Sequence, residues 1–452
     1  MLNTDVDQSS IEKNAGSHDN SLLERLFKLK QHGTTVKMEA LAGCTTFITM
    51  CYVVFVVPEM LSAAGMDRGA LFVATCLISA ISCIAMGLYA NWPVGLAPGM
   101  GLNAFFAYAV VLGMGYSWEQ AMGAVFWGGI GFMLLSIFKV REWIVDSIPK
   151  GLRIGITAGI GLFLALIGLK SAGIVVANPG TIVGLGDITG FAQVMASLSL
   201  FLILALSYRK MKSAVLVSIA VVTLISLFTG QVQFTGIVSL PPSIEPIFAK
   251  LDIMGSLNPD MIGVIVAFMF VNLFDTTGTL IAVGDKAGLA DENGKMENMS
   301  KAMVTDGTAS WVGAVFGAPT VTTYVESASG VAVGGRTGLT AVFIGLLFLL
   351  TLFLSPLAGM VPGYATAGAL LYVAVLMTGS LGAMDWSDLT EAGPVVITTI
   401  MMPLSFSIAN GIALGFIAYP VIKLLAGRVK EVSISVWALA IMFALKFIIF
   451  GI

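Results

Sequence analysis

Charge is what this chain has least of. Only 11% of its 452 residues are Asp, Glu, Lys or Arg, against 57% hydrophobic. An ordinary soluble domain carries about 25% charged residues, so this composition excludes a surface facing water on all sides. Histidine is scarcer still. His18 and His32 both precede the first apolar run, which leaves none for a metal site or proton relay inside a membrane. The four cysteines, Cys44, Cys51, Cys76 and Cys83, sit inside the first two apolar runs. A disulfide framework belongs in extracellular loops, so these read as small apolar packing residues. No basic stripe exists for a nucleic acid. No glycine-rich stretch ends in Gly-Lys-Ser/Thr, so an ATP-driven pump is not expected. With no nucleophile–base pair and no metal cluster, the chain does not read as an enzyme, and no metal or cofactor is expected.

What is abundant is apolar sequence in long pieces. Runs of about 20 apolar residues, enough to cross a bilayer core, recur throughout. They fall at 39–62, 70–90, 94–114, 119–138, 150–170, 190–208, 212–230, 260–284, 301–318, 319–335, 337–355, 363–381, 391–408 and 410–427. A further run, 433–450, reads equally as another span or as a helix lying in the interface. Residues 1–38 are polar and lack the apolar core of a signal peptide, so they form a tail, amphipathic around Leu22–Leu29. Glycine, at 51 residues, suits a bundle whose helix backbones approach closely. The expectation is an all-α integral membrane protein of about fourteen transmembrane segments.

Lys and Arg in short loops set its orientation. If the runs alternate, Arg25, Lys28, Lys30 and Lys37 share one side with Lys139, Arg141, Lys150 and Arg153. Arg209, Lys210, Lys212, Lys286, Lys295, Lys301, Lys423, Arg428 and Lys430 fall there too. The other side keeps little more than Arg68, Lys170 and Lys250. The N-terminus is therefore expected in the cytoplasm, and the proline-rich loop at 231–259 outside.

An internal repeat sharpens this plan. The third run contains PVGLAPGMGLN from Pro93 to Asn103, and the tenth contains GAPTVTTYVESASG from Gly317 to Gly330. Gly and Pro break both into a short extended stretch before a short helix. A second match pairs Ile148-Pro149 with Val361-Pro362. Both offsets are about 215 residues, near half the chain. Seven spans per half is odd, so the second half must be inverted. Paired broken segments in inverted halves mark the binding site of a transporter.

Unwound backbone at membrane depth survives only where protein buries it or a cavity meets it. Ionisable residues there are functional candidates. Asp275 stands near the centre of the eighth run, and Glu326 opens the half-helix of the tenth. Neither has an Arg or Lys in its own run. A carboxylate without a cation in low dielectric favours its neutral form, which suits proton coupling as well as hydrogen bonding to a ring N–H. The competing reading for each is a structural cap on a helix. Asn103 opens the other half-helix and offers both donor and acceptor; it too could be a cap. Thr46, beside Thr45, faces the same cavity or simply packs. Phe105 and Tyr324, with Tyr52, Phe106 and Tyr108, are candidate stacking partners for a flat ring, although core contact is the commoner fate of such residues. Asp306, early in the ninth run and nearer the cytoplasm, reads as structural or gating. Arg336 ends the tenth run and marks the cytoplasmic boundary.

The stretches Ala97–Tyr108, Leu273–Leu280 and Tyr324–Val331 together resemble those of the adenine/guanine/hypoxanthine permeases, the azaguanine-permease-like branch of the nucleobase–cation symporters. The likeness runs from about Leu26 to about Arg428. It implies a uracil-transporter-like fold, with two inverted repeats of seven spans divided into core and gate domains. Residues 39–138 and 260–355 would form the core, and 139–230 and 356–428 the gate, leaving 1–38 as tail, 231–259 as external loop and 429–452 as a terminal apolar segment. The family's polar positions in spans three, eight and ten carry over onto Asn103, Asp275 and Glu326. The resemblance further implies proton-coupled uptake of adenine, guanine or hypoxanthine by alternating access, in the plasma membrane (the inner membrane of a bacterium), by a chain that can form a homodimer. Which purine is preferred stays open. An anion exchanger or channel on the same inverted-repeat plan is the alternative; it would favour net positive charge at the site.

Overall fold

The computed structural model describes residues 22–138, 149–291 and 296–450. His18, Lys139, Arg141, Ile148 and Lys295 lie outside these ranges. Each of the fourteen expected runs has a helical or strand–helix counterpart.

A short helix, α1 (Leu22–Phe27), precedes the bundle, and Phe27 packs with Leu29 on Leu339. The first span is α2 (Val36–Met50), capped at Thr35, followed by α3 (Val53–Ser62). Asp67 caps α4 (Arg68–Ala85), which ends in a π-helical turn at Met86–Ala90. Then come strand β1 (Leu96–Pro98) and α5 (Met100–Ala104), continued as a π-helix over Phe105–Gly113. The first half closes with α6 (Trp118–Ile137), α7 (Lys150–Ser171), the hairpin β2 (Val175–Asn178) and β3 (Ile182–Leu185), α8 (Phe191–Tyr208) and α9 (Ala214–Phe228).

The second half begins at α10 (Pro259–Ala287), with Asn258 as N-cap, proline in the first turn and left-handed Gly288 as stop; these are the residues that helix ends favour. It continues through α11 (Met299–Phe316), strand β4 (Val321–Thr323), α12 (Ser327–Val331), α13 (Gly338–Thr351), α14 (Ser355–Met360), α15 (Gly363–Thr378), α16 (Leu389–Leu404) and α17 (Ile408–Leu425). The run at 433–450 forms one helix, α18 (Ile434–Phe450), laid against α17. Among the described residues, nine helices are long and apolar enough to cross a membrane. The shorter spans have visible causes: the third and tenth are part strand, and α16 contains Pro394 and Pro403.

The two halves interlock rather than sit side by side. α6 packs on α10 and α11, and α13 packs on α2 and α4. Separately, α7 packs on α15 and α16, α8 on α15, and α17 on α16. Contacts between these two groups are sparser, chiefly α5 on α7 and α3 on α15. Glycine sets the closest approaches. A Cβ on Gly129 of α6 would stand 2.7 Å from the backbone N of Trp311 in α11, and one on Gly307 of α11 would stand 2.8 Å from the N of Met133.

The two extended stretches meet each other. β1 and β4 pair antiparallel, with Leu96 opposite Thr323, Ala97 opposite Thr322 and Pro98 opposite Val321. Gly99 N donates to Thr320 O at 2.9 Å and Tyr324 N to Gly95 O at 3.0 Å, which extends the ladder at both ends. Strand backbone at membrane depth must find partners within the protein; here each broken segment satisfies the other.

Candidate functional site

The crossing of β1 and β4 holds the polar side chains. Glu326 occupies the N-cap position of α12, but its side chain caps nothing. Instead Oε1 accepts from the Tyr52 hydroxyl of the first span at 2.9 Å. Asp275 projects from α10, where Oδ2 accepts from Thr322 Oγ1 of β4 at 3.3 Å. Thr322 Oγ1 in turn lies 3.1 Å from Thr276 Oγ1, and Thr276 Oγ1 lies 2.5 Å from Asp306 Oδ2. A chain Asp275–Thr322–Thr276–Asp306 therefore links α10, β4 and α11.

Asp306 lies in the first half of α11 and joins the chain through Thr276. Seven residues from the start of α11 raise it about 10 Å, level with the crossing. It is fully buried, and Oδ1 has no partner.

Asn103 lies in the first turn of its half-helix. The half-helix starts at Met100 with Gly99 as N-cap, so Asn103 lies inside it and caps nothing. Its side chain is fully buried, and neither Nδ2 nor Oδ1 has a partner. Thr46 is buried with its hydroxyl unpaired, close against Gly330 of α12, while the Thr45 hydroxyl returns to Leu41 O. The two aromatic candidates already have partners. The Phe105 ring lies 5.1 Å from that of Phe268 within the core. The Tyr324 hydroxyl donates to Pro98 O at 2.5 Å, bracing the end of β4 on the end of β1.

Arg336 turns its guanidinium onto the carbonyls of Val331 and Gly335, at 2.7 and 2.8 Å, at the end of α12. Its backbone N–H donates to Glu39 Oε1 at 2.9 Å. Glu39 is fully buried and also accepts from Thr340 N and Oγ1, at 3.1 and 2.6 Å. In the sequence Glu39 shows only as a lone acid in the first turn of the first span.

Two cavities lie at the two ends of α7. Asp275 is mid-helix yet exposed, because it opens on a cavity of about 380 Å³ with Lys150, Arg153, Thr157, Phe274 and Met377. Lys150 and Arg153 begin α7, so a different span brings basic side chains to the cavity that holds the eighth-span carboxylate. A second cavity of about 560 Å³, at the other end of α7, takes in Glu59, Tyr108, Lys170 and Tyr364. There Glu59 pairs with Arg68 at 2.9 Å, and Arg68 also reaches Val361 O at 2.8 Å. Between them α5 lies directly on α7: a Cβ on Gly101 would stand 2.6 Å from Cγ2 of Ile160. Among the described residues, no three His, Cys, Asp or Glu side chains gather as metal ligands do.

The sequence profile of the Permease family matches residues 37–414. The adenine permease AdeP of Escherichia coli (strain K12) is 56% identical over 427 residues, covering 94% of this chain and 96% of the relative. The guanine/hypoxanthine permease PbuO of Bacillus subtilis (strain 168) is 40% identical over 435 residues, covering 94% of this chain and 100% of the relative. Among solved structures, the transmembrane domain of the cyanobacterium bicarbonate transporter BicA superposes with a TM-score of 0.64 at 15% identity, over 84% of this chain and 97% of that one. Identity that low speaks for the fold alone.

Proposed function

We propose that this chain, which belongs to the Permease family, is a purine nucleobase carrier of the membrane, taking adenine, guanine or hypoxanthine. The full-length identity to relatives named as permeases of these bases supports the cargo. The observation that carries the site is Asn103, a fully buried amide with both polar atoms unpaired. An orphaned buried amide costs about 1–3 kcal/mol, a cost that a ligand hydrogen-bonded to it would offset. α10, which bears Asp275, packs against both α5 and α12, so a flat ring with donors and acceptors on its edge would meet acids and amide together.

Transport proceeds by alternating access in this reading. The group built on α2–α6 and α10–α13 is the core, and the group built on α7–α9 and α15–α17 is the gate. Their dense internal packing and thin mutual contact support the division. With the N-terminus cytoplasmic, the cavity at Asp275 opens inward and the one at Glu59 outward. Protonation of Asp275 or Glu326 permits binding, and the proton travels with the purine. Association as a homodimer belongs to the same proposal and rests on the resemblance.

Lys150, Arg153 and Lys170 in the two cavities are the observation that favours the second reading, an anion exchanger. Cells expressing the chain should take up labelled adenine, hypoxanthine or guanine, with uptake suppressed by a proton uncoupler and untouched by sulfate or bicarbonate. Absence of purine uptake overturns the reading, and competition by the anions favours the exchanger.

A further inference from the structure

The polar chain through α10, β4 and α11 can be counted proton by proton. It contains three close contacts: Asp275 to Thr322 at 3.3 Å, Thr322 to Thr276 at 3.1 Å, and Thr276 to Asp306 at 2.5 Å. Each hydrogen bond needs one proton between its two oxygens. Each threonine hydroxyl supplies one. Two ionised carboxylates supply none, so three contacts would share two protons, and one oxygen pair would face each other bare. A single carboxyl proton closes the count.

We infer that Asp275 and Asp306 share one proton through the hydroxyls of Thr322 and Thr276, which form a relay between the cavity and the buried interior of the core. The two ends differ in solvation. Asp275 opens on the cavity at Lys150 and Arg153, whereas Asp306 is fully buried with one oxygen unpaired. A buried ionised carboxylate with a single donor is costly. The resting arrangement is therefore a neutral Asp306 donating to Thr276, Thr276 donating to Thr322, and Thr322 donating to ionised Asp275.

One concerted shift reverses it. The Asp306 proton passes to Thr276 Oγ1, the Thr276 proton to Thr322 Oγ1, and the Thr322 proton to Asp275. Three O–H bonds break and three form, and no hydroxyl carries a net charge afterwards. The result is a neutral Asp275 at the cavity and an ionised Asp306 inside, so the core can load the cavity carboxyl without drawing a proton from water. Thr322 lies on the strand that crosses β1, and a displacement of that crossing would open or close the relay. Glu326 stands apart from this chain, bonded to Tyr52.

The relay rests on the transport reading for its coupling role but not for its existence, and two measurements separate the two. Infrared spectra of the purified full chain read the carbonyl band of protonated buried carboxyls. The difference between wild type and Asp306→Asn should contain one such band, because the amide introduced by that substitution donates to Thr276 without a carboxyl proton. No band in that difference overturns the shared proton, whatever the protein transports. In proteoliposomes, the ratio of purine uptake with and without an inward proton gradient should fall at least tenfold, towards one, in Thr276→Val, and recover in Thr276→Ser. A Thr276→Val protein with the wild-type proton flux per purine overturns the relay. A wild type that moves no purine overturns the transport reading and leaves the infrared result standing.

Discussion

The two broken segments at the centre of this molecule share a backbone plan and divide the chemistry between them. β1 leads into α5, and β4 leads into α12, by the same strand-then-helix path, and the strands pair residue for residue. Ala97 faces Thr322 and Leu96 faces Thr323 across that ladder. The first segment is Leu-Ala-Pro and then mostly apolar, with Asn103 as its one polar side chain before Tyr108. The second is Val-Thr-Thr-Tyr-Val-Glu-Ser, with a hydroxyl or carboxylate at most positions. Inverted repetition supplies a symmetric frame of satisfied backbone. Function then needs only one half of the frame to carry acids, while the other offers a wall and an amide.

That asymmetry puts the largest expected loss in the acidic half. Glu326→Gln keeps the shape and the Tyr52 contact but removes the charge. A charge-assisted hydrogen bond contributes about 1.5–3 kcal/mol, so purine uptake should fall about 10–100-fold at unchanged membrane abundance, measured by labelled uptake against an immunoblot. Normal uptake would end the role assigned to Glu326. The apolar half should respond differently. Asn103→Ala removes an amide that has no partner within the protein, so uptake should drop about tenfold while the thermal midpoint of the purified protein stays or rises. A clear fall in the midpoint would mean that Asn103 holds the fold rather than the ligand.

The fourteen spans were legible because each is a contiguous apolar run, and the two broken segments because Pro98, Pro319 and their glycines interrupt such runs. Asp275, Glu326 and Asn103 stood out as polar groups within them. What the sequence does not contain is the partner of each group. Glu326 meets Tyr52 across 274 residues, and Tyr324 meets Pro98 across 226. Asp275 shares its cavity with Lys150 and Arg153 from another span, so a search for cations within its own run could not find them. Thr276 and Thr322 lay inside the motifs but looked like ordinary helix and strand threonines. Only the crossing places them between two acids.

A smaller effect tests whether the β4 hydroxyls matter as hydrogen-bond groups or merely as strand-forming side chains. Thr322→Val keeps the β-branched shape that suits a strand and the contact with Ala97. It removes the donor to Asp275, worth about 1.5–3 kcal/mol against an ionised acceptor and about 0.5–1.5 against a neutral one. Uptake should fall at least severalfold, with Thr322→Ser restoring most of it. Equal uptake in the Val and Ser variants would make the strand's shape its whole contribution and weaken the contrast between the segments.

The smallest expected effect on transport is also the one that separates frame from chemistry most cleanly. Tyr324 belongs to the acidic segment by sequence, yet its hydroxyl donates to Pro98 O of the other segment. Pro98 has paired backbone neighbours on both sides, so this bond acts as a brace where the two strands end. Tyr324→Phe removes it while keeping the buried ring. A neutral hydrogen bond lost in this way costs about 0.5–1.5 kcal/mol, which should lower the thermal midpoint by a few degrees, since the carbonyl of Pro98 is left without its donor. Uptake should stay within about twofold of wild type, because no charge and no orphaned amide is touched. A loss of uptake as large as that of Glu326→Gln, at an unchanged midpoint, would move Tyr324 from the frame into the binding surface, where its aromatic ring and hydroxyl would both have to be counted.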